Sequence, residues 1–425
     1  MSSRTIAWNG DDGLLWPVAV WAIRPLFLAL EYPSLLYVVA MTVFLFRPPD
    51  VSFFYADRIA FGALAFFVAL RTMARRETFP FFAGISVPMI GLTTLAIARA
   101  LREPFDAQLW SIVASKFIVP FALFHFAVLV FRGPVTRRHF EIFTGLALAY
   151  LTFTAIAFLA DAHSLIFPRY ILDESIGFHA DRARGPFLQA VANGVSLNLL
   201  GILVLVLPQK NRTLGWLLWV GLPVAILATM TRAVWIAFVA STLVLGLRLV
   251  QHKLRAICAV LVIGGVVGGF ALLFSNCSIR DAIWDRTTER GPVAARMAVY
   301  RAGWSMFEER PLSGWPAGRM YAELGRRMES YHLRVFYVHN TYLALLVEFG
   351  VPGLALYAIL FFNLFRLSRR AQPNECLTVA RLRKVWPLLL WVYLFNAFFV
   401  DMAYQFVNGL LFTVAGMLCA SEEMA

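Results

Sequence analysis

The sequence predicts an all-α, polytopic membrane protein with about twelve transmembrane helices. Hydrophobic residues fill 60% of its 425 positions and charged residues only 15%, a balance far too apolar for a soluble domain. The mean hydropathy is +0.70. Apolar runs close to the roughly 20 residues that a spanning helix needs recur along the chain, separated by short basic connections. These three observations together predict a bundle of membrane helices.

Twelve apolar runs are predicted as spanning helices. They cover residues 33–46, 52–70, 79–98, 107–131, 139–160, 189–208, 213–230, 232–249, 256–275, 340–365, 385–401 and 405–420. A thirteenth run, 14–30, contains Pro17, Arg24 and Pro25, and we interpret it as an interfacial or re-entrant segment. If it spans instead, the N-terminus moves to the opposite side of the membrane.

Basic residues in the short connections predict the orientation. Five connections carry them and all fall on one side when the twelve runs are threaded: Arg71, Arg75 and Arg76; Arg132, Arg137 and Arg138; Lys210 and Arg212; Arg248, Lys253 and Arg255; and the stretch from Arg366 to Lys384. By the positive-inside rule that side is cytoplasmic. The longer segments 161–188 and 276–338 then lie on the outer face. We therefore divide the chain into transmembrane helices 1–275, an outer helical loop 276–338 and C-terminal transmembrane helices 339–425.

The net charge of +13 is carried almost wholly by arginine, since only four of the 38 basic residues are lysines. In a soluble protein this excess would suggest a nucleic-acid partner. In a membrane protein it is first a signal of orientation, and no nucleic acid is expected. The planar guanidinium also matches two phosphate oxygens at once, so arginine suits phosphate recognition. An arginine-rich codon bias is the alternative explanation for the bulk excess.

The outer segment 276–338 contains two stretches with helical periodicity. Pro292 suits the first position of a helix that ends before Pro311. Four apolar side chains recur along it at helical spacing: Met297, Tyr300, Trp304 and Phe307. A second amphipathic helix is predicted from Met320 to Tyr331. We expect both to lie over the membrane core and cap a cavity. An ordered surface domain without a chemical role is the alternative.

The stretch VHNTYLALLVEFGVPG, from Val338 to Gly353, begins where this polar segment meets an apolar run. His339 and Asn340 therefore lie at the mouth of a predicted membrane helix. The positive end of the helix dipole disfavours imidazolium, so His339 is expected to be neutral and able to act as a general base. A capping or interfacial histidine without chemistry is the alternative. Glu348, on the opposite helix face, is expected to form a structural ion pair or to pack between helices. The glycines around Pro352 are expected to kink the helix.

Three groups of arginines lie on the predicted outer face, and we interpret them as candidates for binding a diphosphate. They are Arg182 and Arg184 in HADRARGPF, Arg232 in TMTRAVW, and Arg296 and Arg301 on the first loop helix. For any single arginine, snorkelling at the membrane surface is the alternative. Asn340 and Tyr300 are expected to support the site. The outer face has no cluster of His, Asp and Glu with metal-ligand spacing, so neither a metal nor a cofactor is expected.

Three motifs resemble the O-antigen ligase and O-antigen polymerase superfamily of bacterial envelope enzymes. They are RARGPFLQAVANG from Arg182, RMAVYRAGWSMFEERPLSGWPAG from Arg296, and HNTYLALLVEFGVPG from His339. The layout of about twelve helices with a large outer loop before the His-Asn helix extends the resemblance over nearly the whole chain. One departure is Thr231, where the family often has a serine before the arginine. It puts a role for that hydroxyl in doubt and leaves Arg232 unaffected.

The resemblance implies a GT-C-type glycosyltransferase fold and an undecaprenyl-diphosphate-linked glycan as donor, with no metal. It implies that His339 is the base and that Arg184 and Arg232 bind the diphosphate. A single in-line displacement of this kind inverts the anomeric carbon.

The leading hypothesis is an O-antigen ligase in the bacterial inner membrane, with its active site facing the periplasm. It would move the glycan to the lipid A–core oligosaccharide, both substrates being anchored among membrane lipids. An O-antigen polymerase or a protein O-oligosaccharyltransferase would share the donor and the motifs and differ in acceptor. A secondary transporter or flippase is less favoured, because such proteins place charged sites near the middle of the membrane.

Overall fold

The computed structural model describes residues 30–47, 55–177, 180–207, 212–248, 291–328, 338–369 and 375–420. Within these ranges the regular elements are all helical and no strand occurs, so the all-α class is confirmed. The longer helices are α1 (Pro33–Leu45), α2 (Ala56–Ala74), α3 (Ala83–Ala100), α4 (Ala107–Val113), α5 (Val119–Val130), α6 (Pro134–Leu159), α7 (Ala190–Val206), α8 (Arg212–Ala228), α9 (Arg232–Arg248), α10 (Gly291–Glu309), α11 (Ala317–Arg327), α12 (Thr341–Arg366), α13 (Leu377–Ala397) and α14 (Gln405–Cys419). A π-helical turn, Ala114–Ile118, joins α4 to α5.

The predicted apolar runs coincide with these helices, except for 256–275, which lies outside the described residues, as does nearly all of the segment 14–30. Four helical stretches are long and apolar enough by themselves to cross a membrane: Ala83–Ala100, Ala107–Val130, Pro134–Leu159 and Thr341–Arg369. Five shorter apolar helices accompany them among the described residues. The protein is therefore described as a multi-pass membrane protein, while the count of twelve spans and the GT-C arrangement stay predictions.

Helix α13 begins earlier than the apolar run 385–401 indicated. Arg383, expected in a cytoplasmic connection, lies inside the helix and is buried. Its guanidinium donates to Glu375 and to the backbone carbonyls of Leu367 and Leu418. Because these partners satisfy the charge, the helix extends past a residue that the hydropathy pattern assigned to a loop.

The centre of the bundle is α14, nearly all of whose residues are buried. It packs closely along α5, because Gly416 faces the backbone of that helix. A Cβ atom at Gly416 would lie 2.4 Å from the carbonyl oxygen of Phe124. Only glycine allows this approach, and the two helices form the core around which the others are arranged.

Helix α12 is broken at Gly350, as the glycine and proline content predicted. Gly350 has φ 66° and ψ −163°, a conformation that is essentially restricted to glycine. The loop between α10 and α11 enters the opened turn. The Val351 N–H donates to the Pro311 carbonyl over 2.7 Å, and the Trp315 N–H donates to the Val347 carbonyl over 2.8 Å. The kink therefore results from main-chain insertion into the helix ladder.

The loop helices α10 and α11 share a small hydrophobic core with the first turns of α12. The buried side of α10 carries Val299, Ala302 and Met306. Of the four apolar residues that recur at helical spacing, Tyr300 and Phe307 are half-buried and pack against this core, and the other two do not. Met297 and Trp304 are 47% and 49% exposed. The small residues on the buried side of α10 allow a close approach to α12. A Cβ atom at Gly303 would lie 3.1 Å from Leu343 Cδ2, so α10 approaches α12 through its smallest residues.

The second loop helix is shorter than predicted and starts earlier, covering Ala317–Arg327 instead of Met320 to Tyr331. Its amphipathic character is seen in the burial of Met320, Leu324 and Met328. Pro316 directly precedes the first residue of the helix and marks the end of the preceding loop. The two helices thus cover the start of α12 and position the residues described next.

Candidate active site

His339 lies directly before the cap of α12, one position outside the first turn in which the sequence analysis placed it. Asn340 is the cap: its side-chain oxygen accepts hydrogen bonds from the backbone N–H groups of Tyr342, at 2.9 Å, and Leu343, at 3.0 Å. Asn340, and not the imidazole of His339, is therefore the residue that caps the helix. His339 is exposed at this end of the bundle.

Tyr300 holds the backbone at His339. Its hydroxyl lies 3.0 Å from the His339 carbonyl oxygen and 3.1 Å from that of Phe398. One side chain of α10 therefore joins the start of α12 to the end of α13. The single hydroxyl proton is shared between two acceptors, and this arrangement orients the histidine through its main chain.

Thr341 makes a second junction from the other side. Its hydroxyl donates to the Val400 carbonyl over 2.8 Å and accepts from the Met402 N–H over 3.0 Å. The connection between α13 and α14 is thereby held against the His-Asn motif. Sequence analysis missed Thr341, although a hydroxyl residue directly after Asn340 was a visible signal.

The pKa of His339 is lowered from its ordinary value. Partial desolvation by the surrounding protein is the largest cause, and the positive charge of Arg296 adds to it, while the negative charge of Asp401 opposes them. Because the residue is exposed, the desolvation is incomplete, and the effect of Arg296 supports the direction independently. This direction favours an uncharged ring, the same direction that the sequence analysis expected from the helix dipole, but its causes here are desolvation and Arg296.

Asp401 also belongs to a buried cluster of charges below the histidine. The Lys116 Nζ lies 2.9 Å from Asp401 Oδ1 and 3.4 Å from Glu348 Oε2. The expected ion pair of Glu348 is therefore present, and the lysine comes from the π-helical turn between α4 and α5. Asp401 was missed by sequence analysis, although an acidic residue at the end of the predicted apolar span 385–401 is unusual.

Arg184 lies inside the loop between α6 and α7 and is 1% exposed. Its guanidinium donates to three backbone carbonyls, those of Ile171 over 2.9 Å, Ile176 over 2.6 Å and Asp173. In this arrangement its fork of donors organises the loop. Binding of a diphosphate by Arg184 stays a prediction, and such contact requires the loop to open.

The loop that carries Arg184 and the start of α9 at Arg232 are neighbours, as their proposed shared role requires. The Ala183 N–H donates to the Ala228 carbonyl over 3.0 Å, four residues before Arg232. Arg182 is buried beside them and Arg232 is half-buried.

The same loop approaches the start of α14. The ring centroids of Phe187 and Phe406 are 5.5 Å apart. The 398–404 connection, which leads into α14, contacts Tyr300 and Thr341, and these two residues flank the His-Asn motif. His339 and all the predicted arginine groups thus lie at one end of the helix bundle.

A groove of about 530 Å³, called here the α10–α12 groove, opens next to the His-Asn motif. Its lining residues are Tyr300, Arg301, Trp304, Ser305 and Glu308 from α10, and Asn340, Tyr342, Leu343 and Leu346 from the start of α12. Arg296 and Arg301 are both exposed on α10. The predicted base, two predicted phosphate ligands and a concave surface are therefore adjacent.

Among the residues that the structure describes, no group of three or more His, Cys, Asp or Glu side chains is arranged to hold a metal ion. Metal independence stays a prediction, which depends on the chemistry that the arginines can supply.

Residues 216–358, about a third of the chain, match the family model described as O-antigen ligase (Wzy_C). The matched segment contains Arg232, Arg296, Arg301 and His339 and ends within α12. No curated protein matches the sequence. The match confirms the resemblance that the two motifs inside this segment indicated: residues 216–358 are similar to the O-antigen ligase family.

Proposed function

We propose that this protein is an O-antigen ligase. It transfers the glycan from undecaprenyl diphosphate to the lipid A–core oligosaccharide on the periplasmic side of the bacterial inner membrane. The family domain in residues 216–358 supports the reaction class. The apolar helices support a multi-pass protein that meets two lipid-anchored substrates within the bilayer.

The placement of His339 is the observation that carries this proposal. An exposed, uncharged imidazole stands at a helix entrance, its backbone held by Tyr300, beside a groove and near Arg296. A sugar hydroxyl is a weak nucleophile and gains reactivity when a positioned base removes its proton during attack. A lipid diphosphate is already a good leaving group, so stabilising its charge matters more than protonating it.

The proposed step is one displacement. An acceptor hydroxyl oxygen bonds to the anomeric carbon of the donor's first sugar as the bond from that carbon to the diphosphate oxygen breaks. The hydroxyl proton passes to His339. The electron pair of the broken bond leaves with undecaprenyl diphosphate, and the anomeric carbon is inverted.

Arginines stabilise the leaving diphosphate in this proposal. Arg296 and Arg301 are exposed on α10, and Arg296 acts electrostatically on His339, which supports a diphosphate position beside α10. Arg182 and Arg232 contribute from the adjacent outer loop and the start of α9. Arg184 holds that loop in shape, and direct contact with the diphosphate follows only if the loop opens.

The test is transfer by purified protein in nanodiscs, supplied with undecaprenyl-diphosphate-linked glycan and lipid A–core. His339→Ala should lower the rate by about 10²–10⁴-fold, the typical contribution of a general base. His163→Ala is the matched control, since His163 is an exposed histidine in the other outer loop. Wild-type transfer by a correctly inserted His339→Ala protein would remove the base from the mechanism.

The acceptor is tested by the same assay with three acceptors. Transfer to lipid A–core supports the ligase. Chain growth on a second lipid-linked glycan, or modification of a pilin-like protein, would replace it with the polymerase or the protein oligosaccharyltransferase. Movement of lipid-linked glycan that stops when the proton gradient is dissipated, without a new glycosidic bond, would indicate a transporter.

A further inference from the structure

We propose that the α10–α12 groove is a saccharide-binding subsite in which the indole of Trp304 is the platform for a sugar ring. This inference rests on the proposed function, because the sugar belongs to one of the two glycan substrates. It adds a ligand class and a binding residue that the transfer reaction by itself does not specify.

The groove has the size and position for this role. Its volume of about 530 Å³ lies within the range of about 300–1,000 Å³ that is usual for small-molecule sites. Tyr300 and Asn340 form the wall nearest the base, and the Tyr300 hydroxyl is 3.0 Å from the His339 carbonyl oxygen. A sugar ring in the groove therefore lies beside the residue proposed to deprotonate a sugar hydroxyl.

Trp304 is held in place and yet left uncovered. It is 49% exposed although it is among the largest apolar side chains of the loop helices. Its indole N–H donates to Glu308 Oε1 over 2.7 Å, one turn further along α10. The bond uses the polar edge of the indole and fixes the ring, so that little conformational entropy is lost when a ligand stacks on it. The bond occupies only one of the two carboxylate oxygens of Glu308.

The lining distinguishes a sugar from a lipid tail. The α12 side of the groove is apolar, with Leu343 and Leu346, whereas the α10 side carries the charged groups of Arg301 and Glu308. A hydrocarbon chain would desolvate those charges without offering a hydrogen bond, which is unfavourable. A sugar ring has C–H faces for the apolar side and the indole, and hydroxyl edges for the guanidinium and carboxylate. The lining surface is mostly apolar, with charged groups only on the α10 side, and this fits a sugar ring whose C–H face packs on the apolar surface and whose hydroxyl edge meets Arg301 and Glu308.

The binding test does not require transfer. Full-length protein in nanodiscs is titrated calorimetrically with two lipid-free probes, the core oligosaccharide and an O-antigen oligosaccharide. Trp304→Ala should raise the Kd of at least one probe about 3- to 10-fold, the size of an aromatic contact. Trp304→Phe should retain most of the affinity. Met297→Ala is the matched control, because Met297 is 47% exposed on the same helix and does not line the groove.

The two probes identify the source of the sugar. A weaker Kd for the core oligosaccharide alone assigns the groove to the acceptor, and a weaker Kd for the O-antigen probe alone assigns it to the donor. Glu308→Gln keeps an acceptor for the indole N–H and removes the charge. It should weaken the same probe, which keeps the test decisive if Trp304→Ala fails to insert.

Three binding results would overturn the inference, and so would one result of the transfer assay. The wild type binds neither probe, or the Trp304 variants bind both like wild type, or they lose affinity for undecaprenyl phosphate instead, which would make the groove a lipid site. In the transfer assay, normal kcat and KM for both substrates in Trp304→Ala would also reject the subsite while leaving the ligase intact. Conversely, Trp304-dependent binding without any transfer would reject the ligase and leave the subsite.

Discussion

Arg184 provides the sharpest test of how this protein uses its arginines. In the sequence it is a candidate diphosphate ligand, and in the fold its guanidinium bridges three carbonyls of the 171–176 turn. Replacement by alanine removes all three hydrogen bonds. Replacement by lysine keeps the charge but not the planar fork, because one ammonium group cannot reach three separated acceptors with the same geometry.

The expected loss of stability follows from the burial of the three acceptors. Ile171 is buried, so its orphaned carbonyl costs about 1–3 kcal/mol. Ile176 and Asp173 reach solvent, and water can replace part of each bond, which leaves about 1 kcal/mol apiece. Arg184→Ala should therefore destabilise the loop by about 3–5 kcal/mol. Arg184→Lys, which can restore one bond, should cost about 2–3 kcal/mol by the same reasoning.

Amide hydrogen exchange of residues 171–177 measures this loss locally, without unfolding the membrane helices. A loss of about 3 kcal/mol corresponds to roughly 100-fold faster exchange, which is expected for the alanine variant. The lysine variant should show a smaller increase. Unchanged exchange in Arg184→Ala, together with lost transfer, would refute the reasoning. So would full stability and activity in Arg184→Lys, because a charge alone would then suffice.

Three further predictions concern the buried charges, the kink and the base. Lys116→Met removes the cation that lies between the buried Glu348 and the half-buried Asp401, and it should destabilise the protein by about 3–5 kcal/mol, measured as faster thermal inactivation. Gly350→Ala forces a Cβ atom to within 2.4 Å of the Pro311 carbonyl oxygen at φ 66°; it should cost more than about 3 kcal/mol, or prevent insertion, as judged by folded yield. Arg296→Ala removes a positive charge that lowers the pKa of His339. The pKa should rise, and the acidic limb of the pH–rate profile, below which the base is protonated, should move to higher pH.

Matched variants separate these effects from general damage. Lys384→Met changes an exposed lysine of α13 and should leave thermal inactivation unchanged. Gly246→Ala should be tolerated, because a Cβ atom there has no neighbour within 4 Å. A Lys116→Met protein as stable as wild type, or a Gly350→Ala protein with normal yield, would contradict the packing described. An acidic limb that stays in place in Arg296→Ala would show that this charge does not act on the base.

The helices could be predicted from the sequence because membrane spans leave a local signal. Each apolar run in the described ranges corresponds to a helix, and the break at Gly350 followed from glycine and proline chemistry alone. Boundaries were less reliable where a polar group finds a distant partner. Arg383 is an example, since Glu375 and two carbonyls allow it to continue a helix that hydropathy ended.

The site was only partly predictable for the same reason. His339, Asn340 and Tyr300 could be named from their motifs, and the structure brings them together. The buried face of α10 could not be predicted, because it carries Val299, Ala302 and Met306, which the spacing of the larger apolar residues does not mark. Asp401 depends on a contact with Lys116 that spans 285 positions, and no local pattern reveals it.

The contact between the break in α12 and the loop before α11 determines how α10 and α11 can move. Backbone atoms of Pro311 and Trp315 form hydrogen bonds across the break in α12. The two backbone segments lie so close at Gly314 and Gly350 that neither position has room for a side chain. Main-chain hydrogen bonds therefore couple the loop rigidly to α12. A tilt of α10 and α11 should move the first half of α12 together with His339. Insertion of a single residue in this short loop should break the hydrogen bonds on both sides of the kink.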